Sequence, residues 1–446
     1  MQTGLKLFAH KFQGWVAPAD CFAAFFADST QAFWFDRQAH PTDRFSVIGE
    51  ADTVHEFKFE TDGLSQLAAL QSDFEQAAGT SPDLDLPFEW RPGVVFALAY
   101  DPETVSRAMT VTKGIAFDHE KRQMWFVGFF ESQKAFDRWF HSALLTLTLT
   151  GGNAVSYRFE RRTKRGLLNL TVRHSDEEYL QLIRASQVEI VAGNAYQICL
   201  TNQLSATHDL DPLDVFLRLR ETNPAPYSAY LRFDDFSLAS ASVEQFLTAN
   251  RDGRLQTKPI KGTRARSTQE LAVSDQQIAD ELASNVKERA ENLMIVDLMR
   301  NDLAIVCDAD SVTVTELFEV QSYPTLHQLV STIEGQLRPQ LSHVDALTAM
   351  FPGGSMTGAP KFSAINIIKR LEGGPRGIYS GVFGYLGHFG HTDVAMVIRS
   401  IVFEGNQLSI GIGGGITSDS DPIAELAETK LKARALLAAL EVPDAW

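Results

Sequence analysis

The strongest constraint on the fold is how often this chain interrupts its own β-type runs. Phe33-Trp34-Phe35, Val94-Val95-Phe96-Ala97-Leu98 and Met124-Trp125-Phe126-Val127-Gly128-Phe129-Phe130 are each cut off by polar residues, glycine or proline within a few positions. Runs of that length suit strands, and residues 1 to about 150 therefore read as sheet-rich. Helices enter later, with their own start signals. Ser175-Asp176-Glu177-Glu178 is a capping box opening an amphipathic helix to about Val191, and Asp211-Pro212 opens another. Ser274, with Gln277 three residues on, opens a long helix, and Asp421-Pro422 sets an N-cap and a first-position proline for the last one. Strands are expected at Ala195 to Leu204, as a pair within 227–249, and as short Gly-punctuated pieces over 377–416. Because the elements mix without a βαβ rhythm, the fold class is α+β and not a parallel doubly wound sheet. The polar, basic stretch GGNAVSYRFERRTKRG marks a boundary near 165–175, separating an N-terminal region, 1–170, from a C-terminal one, 175–446.

Composition narrows the function classes. Lys plus Arg number 40 against 56 Asp plus Glu, a net charge of −16, which argues against nucleic-acid phosphate as the main partner. Cys21, Cys199 and Cys307 are far apart and form no CxxC or Cys/His cluster, so neither a disulfide framework nor a zinc site is indicated. No run of about 18 apolar residues occurs and the N-terminus lacks a signal-peptide core. A cytoplasmic protein is expected.

Three kinds of residue could carry chemistry. Glu288 and Glu291 are three apart and so share a helix face, and Glu425 and Glu428 repeat the spacing with Lys432 one turn further on. Opposed, the two faces would form an oxygen-rich nest suited to Mg²⁺, which keeps waters and completes its shell with an anionic substrate; a solvated acidic surface is the alternative. Lys261, between Ile260 and Gly262, could act as an amine nucleophile or be an exposed loop lysine. The glycine-rich segments 352–359 and 411–416 match neither a Walker loop nor GxGxxG, leaving close backbone approach to a ligand, or turns and bulges, as their uses. No GxSxG or glutaminase-type cysteine elbow is present. His327 in an apolar setting reads as a hydrogen-bonded core residue.

Taken together, PIKGTRAR (259–266), ERAENLMIVDLMRNDL (288–303), FPGGSMTGAPK (351–361), YSGVFGYL (379–386) and GIGGGITSDSDPIAELAETKLKARALL (411–437) resemble the chorismate-utilising enzymes, the family of anthranilate, isochorismate, salicylate and aminodeoxychorismate synthases. The resemblance is strong over 175–446 and weaker through Phe33–Asp36 and Asp43–Gly49. It implies the chorismate-binding fold, two interleaved subdomains forming a large antiparallel β-sandwich with outer helices. It also implies a site in which Glu291 and Glu428 hold Mg²⁺, Glu288 and Glu425 support it through water, and the metal grips the ring carboxylate of chorismate. Tyr379 and Arg399, with backbone at Gly413 and Gly415, would bind the enolpyruvyl carboxylate. Lys432 would steady the acids, and Gly262 and Thr357 would line the ring. Within the family, PIKGT is similar to the members that form aminodeoxychorismate, whereas anthranilate-forming members have PIAGT. The resemblance then makes Lys261 the nucleophile at C2 and Glu244 the acid that protonates the departing C4 oxygen. His327 contacts or supports the ring. Gln197 stands where water-adding members have a lysine. Ammonia would come from a separate glutamine amidotransferase subunit, for a product on the way to p-aminobenzoate and folate. The rivals are an anthranilate synthase component I and a catalytically silent chorismate-binding homologue. Two departures stand out: the family's SPE motif reads Ser242-Val243-Glu244, and Arg37 replaces a usual serine.

Overall fold

A computed structural model describes residues 4–59, 64–79, 81–150, 168–267, 274–323, 326–443 and 446. Within them, two sheets of 12 and 10 strands form, and their pairings are antiparallel. In the first, Lys6–Phe12, Gln123–Phe130, Lys113–Asp118, Phe45–Glu50 and Gln31–Asp36 lie side by side, and Gln31–Asp36 pairs onward with Tyr227–Phe233. Phe236–Ser242, Ser400–Glu404, Gln407–Ile416 and Gln197–Thr207 follow. In the second, Thr53–Phe57, Ser106–Val111 and Gly93–Leu98 meet Val382–Gly387, and then come His391–Met396, Gln245–Ala249, Arg254–Lys258, Leu326–Gln336 and Ile260–Ala265. The expected interleaving is thus a sharing of both sheets. Phe35 lies opposite Ala229 at one junction and Leu98 opposite Val382 at the other. The boundary expected near 165–175 falls partly on residues 151–167, which lie outside the described set.

Continuous apolar strands are explained by burial on both faces. Phe33, Phe35, Val95 and Ala97 point between the sheets, where Leu231, Phe383 and Tyr385 meet them. The alternate residues point outward under helices. Trp34 packs with Phe22, Phe136, Phe216 and Leu436 over the first sheet, and Phe96 and Leu98 pack in the cluster that holds Ile295, Met299 and Leu347 over the second. Each such side chain contributes about 1.5–3 kcal/mol by leaving water. All three cysteines are buried and free.

The helix starts read from sequence are found with their caps. Ser175 and Glu178 form a capping box opening Asp176–Val191, and Asp211 and Asp421 cap Pro212–Thr222 and Pro422–Ala439. The long helix expected from Ser274 is two helices, Asp275–Ser284 and Val286–Ala304. Asn285 separates them: its backbone is extended, at φ −66° and ψ 115°, and its side chain accepts from the Glu288 amide at 3.1 Å. An Asx side chain that can satisfy a free N–H favours a new cap over helix continuation. Glu288 therefore sits in a first helical turn, where its charge is favoured, and not mid-helix.

Candidate active site

The site is built where the helices Val286–Ala304 and Pro422–Ala439 face each other beside the strands carrying Lys261, Gln197 and Gly413–Gly415. Lys261 lies on the bulged strand Ile260–Ala265, not on a loop. The register slips between Lys261 and Thr263, and Gly262 takes φ +79°, a conformation few other residues adopt without strain. A bulge of this kind re-aims its neighbouring side chain. The lysine is turned toward Gly415, where an added Cβ would lie 3.2 Å from its Nζ and 2.1 Å from Gln197 Nε2. A Cβ on Gly262 would lie 3.0 Å from the carboxylate of Glu288. A Cβ on Gly413 would come within 2.2 Å of the Leu200 carbonyl. These glycines are spaces that let two strands and a lysine converge.

The acids approach from the two helices. Glu291 and Glu425 are buried, unlike residues of a solvated acidic face. Burial raises the Glu291 carboxyl above its usual range, against the charges of Lys261 and Lys287, and its Oε1 has no hydrogen-bond partner. Glu425 accepts from Ser420 Oγ at 2.8 Å and from Lys287 Nζ at 3.3 Å. Glu428 is more exposed, pairs with Lys432 at 2.9 Å, and is held below its usual range mainly by that ammonium. Lys432 also donates to the Gly413 carbonyl at 3.0 Å. Glu288 accepts from Arg264 at 3.2 Å. Among the described residues no three Asp, Glu, His or Cys side chains already form a closed chelate. The unpartnered buried oxygen of Glu291 nonetheless fits a hard cation, which would take its remaining ligands from water and substrate.

On the other wall, burial pushes the Glu244 carboxyl up to about 7, against the Ser355 hydroxyl that bonds it and the charge of Lys261. Thr357 is fully buried; its hydroxyl donates to the carbonyls of Gly353 and Gly354, and its own carbonyl accepts from Cys199. The Tyr379 ring lies against Gly411, and burial keeps its phenol protonated. Arg399 adopts φ +51°, and Ser380, next to Tyr379, φ +66°. Non-glycine residues held there cluster at functional sites. Burial disfavours the Arg399 charge, while Tyr379 and Glu428 act to retain it. An anion bound there would complete its charge balance. His327 is 2% exposed with both ring nitrogens engaged, Nε2 3.0 Å from Asp275 and Nδ1 2.8 Å from Ser322.

Sequence reasoning missed the residues that hold these walls. Lys287 joins the two acidic helices, pairing with Glu425 and lying 3.8 Å from Glu291. Arg376, 4% exposed, donates to Glu372 and to the carbonyls of Met356 and Cys199, while Glu372 also accepts from Thr201. Lys361 and Asp302 form a buried pair at 2.6 Å that ties the FPGGSMTGAPK segment to helix Val286–Ala304. Lys287, Lys361 and Asp302 lie inside or beside the motifs, and Lys287 is one helical turn from Glu291, yet Lys287 meets Glu425 138 positions away and Lys361 meets Asp302 59 positions away, contacts that no spacing rule connects. Arg37, the departure from the family's serine, donates to Asp393 at 2.7 Å and borders a separate cavity of about 570 Å³ between the sheets.

Residues 22–438 match the family described as chorismate binding enzyme. The chain is 38% identical to aminodeoxychorismate synthase of Streptomyces pristinaespiralis over 94% of its length, but spans only 63% of that relative. It is 35% identical to aminodeoxychorismate synthase component 1 of Salmonella typhimurium, covering 90% of this chain and 91% of that one. The crystal structure of anthranilate synthase component I from Streptococcus pneumoniae superposes with a TM-score of 0.75 at 27% identity, over 89% of this chain and 92% of that one. With the match running through both sheets and every wall of the cleft, this chain belongs to the chorismate-binding enzyme family.

Proposed function

We propose that the chain aminates chorismate to 4-amino-4-deoxychorismate, an amino-transfer step in p-aminobenzoate and folate biosynthesis. The observation that carries this reading is the placement of Lys261, whose amine is turned into the cleft toward the Gln197–Gly415 wall and shares the electrostatic field of Glu244 and Glu291. A lysine there supplies an amine nucleophile, and a carboxyl that titrates near 7 supplies a proton at neutral pH.

In this mechanism Tyr379, Arg399 and the backbone at Gly413 and Gly415 hold the enolpyruvyl carboxylate, while Gly262, Thr357 and His327 border the ring. The neutral Lys261 amine forms a C–N bond at C2, the ring double bonds shift, and the C4–O bond breaks. Glu244 donates the proton with which that oxygen departs as water. Ammonia then forms the C4–N bond, the double bonds return, and the Lys261 amine leaves C2 with a proton. The enolpyruvyl group stays in place. Mg²⁺ held by Glu291 and Glu428, with Glu288 and Glu425 behind water, would bind the ring carboxylate and neutralise its charge; Lys432 keeps Glu428 in position. The ammonia source is a glutamine amidotransferase partner, a reading supported by the "component 1" naming of the Salmonella relative. Among the described residues no helix is long and apolar enough to cross a membrane.

The test is incubation of the pure protein with chorismate, Mg²⁺ and ammonium, with chromatography and mass detection, with and without an aminodeoxychorismate lyase. Lyase-dependent p-aminobenzoate is expected. Anthranilate formed without lyase would replace this reading with the anthranilate-forming one, and no consumption of chorismate would leave a silent binding homologue. Lys261→Ala is expected to abolish turnover with ammonium while chorismate still binds; a full rate in that variant would end the covalent scheme.

A further inference from the structure

Four carboxylates on two facing helices repel one another, and the cleft must be neutralised whether or not a divalent ion is in it. Lys287 is placed to do this. It lies in the first turn of Val286–Ala304, 3.8 Å from Glu291 Oε1 on its own helix and 3.3 Å from Glu425 Oε1 on the opposite one. Among the described residues no other lysine makes ion pairs to acids of both helices. Its side chain is 51% exposed, whereas those of Glu291 and Glu425 are 11% and 7% exposed. The ammonium therefore sits at the mouth of the cleft, on a flexible stem, in front of acids that cannot themselves turn to water. It reaches Glu291 only at ion-pair distance, so that oxygen keeps no hydrogen bond. A half-exposed pair of this sort is weak enough to be given up.

We propose that Lys287 is a built-in counter-cation that bridges Glu291 and Glu425 while the acidic cleft lacks a divalent ion, and that it yields this place when Mg²⁺ binds, lowering the affinity for the metal. The inference rests on the metal assignment made above. A single positive charge suffices to keep the helices together, but it is too weak to hold its place against a doubly charged ion. The device keeps the site assembled between turnovers and lets metal and product leave.

The experiment is calorimetric titration of Mg²⁺ into chelator-stripped wild type, Lys287→Met and Lys287→Arg, with thermal melts of each in EDTA and in saturating Mg²⁺. Lys287→Met is expected to bind Mg²⁺ roughly three- to tenfold more tightly, as befits the loss of one competing charge with two weak ion pairs. Lys287→Arg, which keeps the charge, is expected to stay near wild type. The methionine variant should melt lower than wild type in EDTA and level with it in Mg²⁺, a pattern that a purely structural lysine would not produce. If wild type binds Mg²⁺ and Lys287→Met binds it equally or more weakly, the inference is overturned and the metal assignment stands. If none of the three binds Mg²⁺, both fall.

Discussion

Glu244 and Lys261 show how much a single residue's chemistry depends on what surrounds it. Burial lifts Glu244 to about 7 from its ordinary 4.5, so the folded protein takes up a proton that the unfolded chain would release. The stability this contributes is fully present below about 4.5 and is lost as pH rises through about 7. Two outcomes follow for Glu244→Gln. Turnover with ammonium should fall by about 10²–10⁴, the usual weight of a positioned general acid. Melting temperatures measured from pH 4 to 8 should lose the part of their slope that lies in that window. In wild type, the rate should decline above about pH 7 as the acid form disappears; a Gln variant that kept both the rate and this decline would remove Glu244 from the mechanism. The resemblance to the family's SPE motif identified the glutamate, but it could not show that Ser355 and Lys261 would be its neighbours.

At the scale of elements, the cleft depends on strands and helices meeting where the sequence leaves out atoms. Gly413→Ala would put a Cβ 2.2 Å from the Leu200 carbonyl, forcing Gln407–Ile416 away from Gln197–Thr207, whereas a Cβ on Gly414 meets nothing nearer than 3.4 Å. The first substitution should cost about 1–3 kcal/mol and the second stay within about 1 kcal/mol, as read by chemical denaturation. Equal effects would mean that the strands adjust freely there. Asn285→Ala should cost about 0.5–2 kcal/mol by uncapping helix Val286–Ala304. Because Glu288 supplies the capped amide, the variant should also weaken Mg²⁺ binding in calorimetry. The capping signals of four helices were legible because capping is local, but the break at Asn285 was hidden by the apparent continuity of helix-forming residues on both sides of it.

For the whole molecule, the decisive fact is that neither region owns a sheet. Removing the N-terminal strands would strip the partners of Tyr227–Phe233 and Val382–Gly387 and open the core between the sheets, in which Phe33, Phe35, Val95 and Ala97 pack against Leu231 and Phe383. Residues 175–446 expressed alone should therefore aggregate or unfold without a cooperative transition, even though they carry every candidate site residue. A soluble fragment with a sharp melt and chorismate binding would show the shared sheets to be dispensable. The buried Arg376–Glu372 pair acts at the same scale, fixing Met356, Cys199 and Thr201 around the cleft. Arg376→Met should cost about 3–5 kcal/mol, because it strands a buried carboxylate. Denaturation of the full-length variant checks this.

By itself, the sequence determined the α+β class, most helix starts, the reduced cysteines and the identity of Lys261, the four glutamates and the glycine strand. These rest on local rules: the period of apolar residues, the fit of a side-chain oxygen to a free amide, and motifs long enough to be specific. Only the tertiary structure decided that Glu291 and Glu425 are buried, that Gln197 and Lys261 share the space left by Gly415, and that Lys287 spans two helices 138 positions apart at Glu425. Burial and charge pairing depend on distances in space, and those are set by strand order and helix packing, to which spacing along the chain is blind.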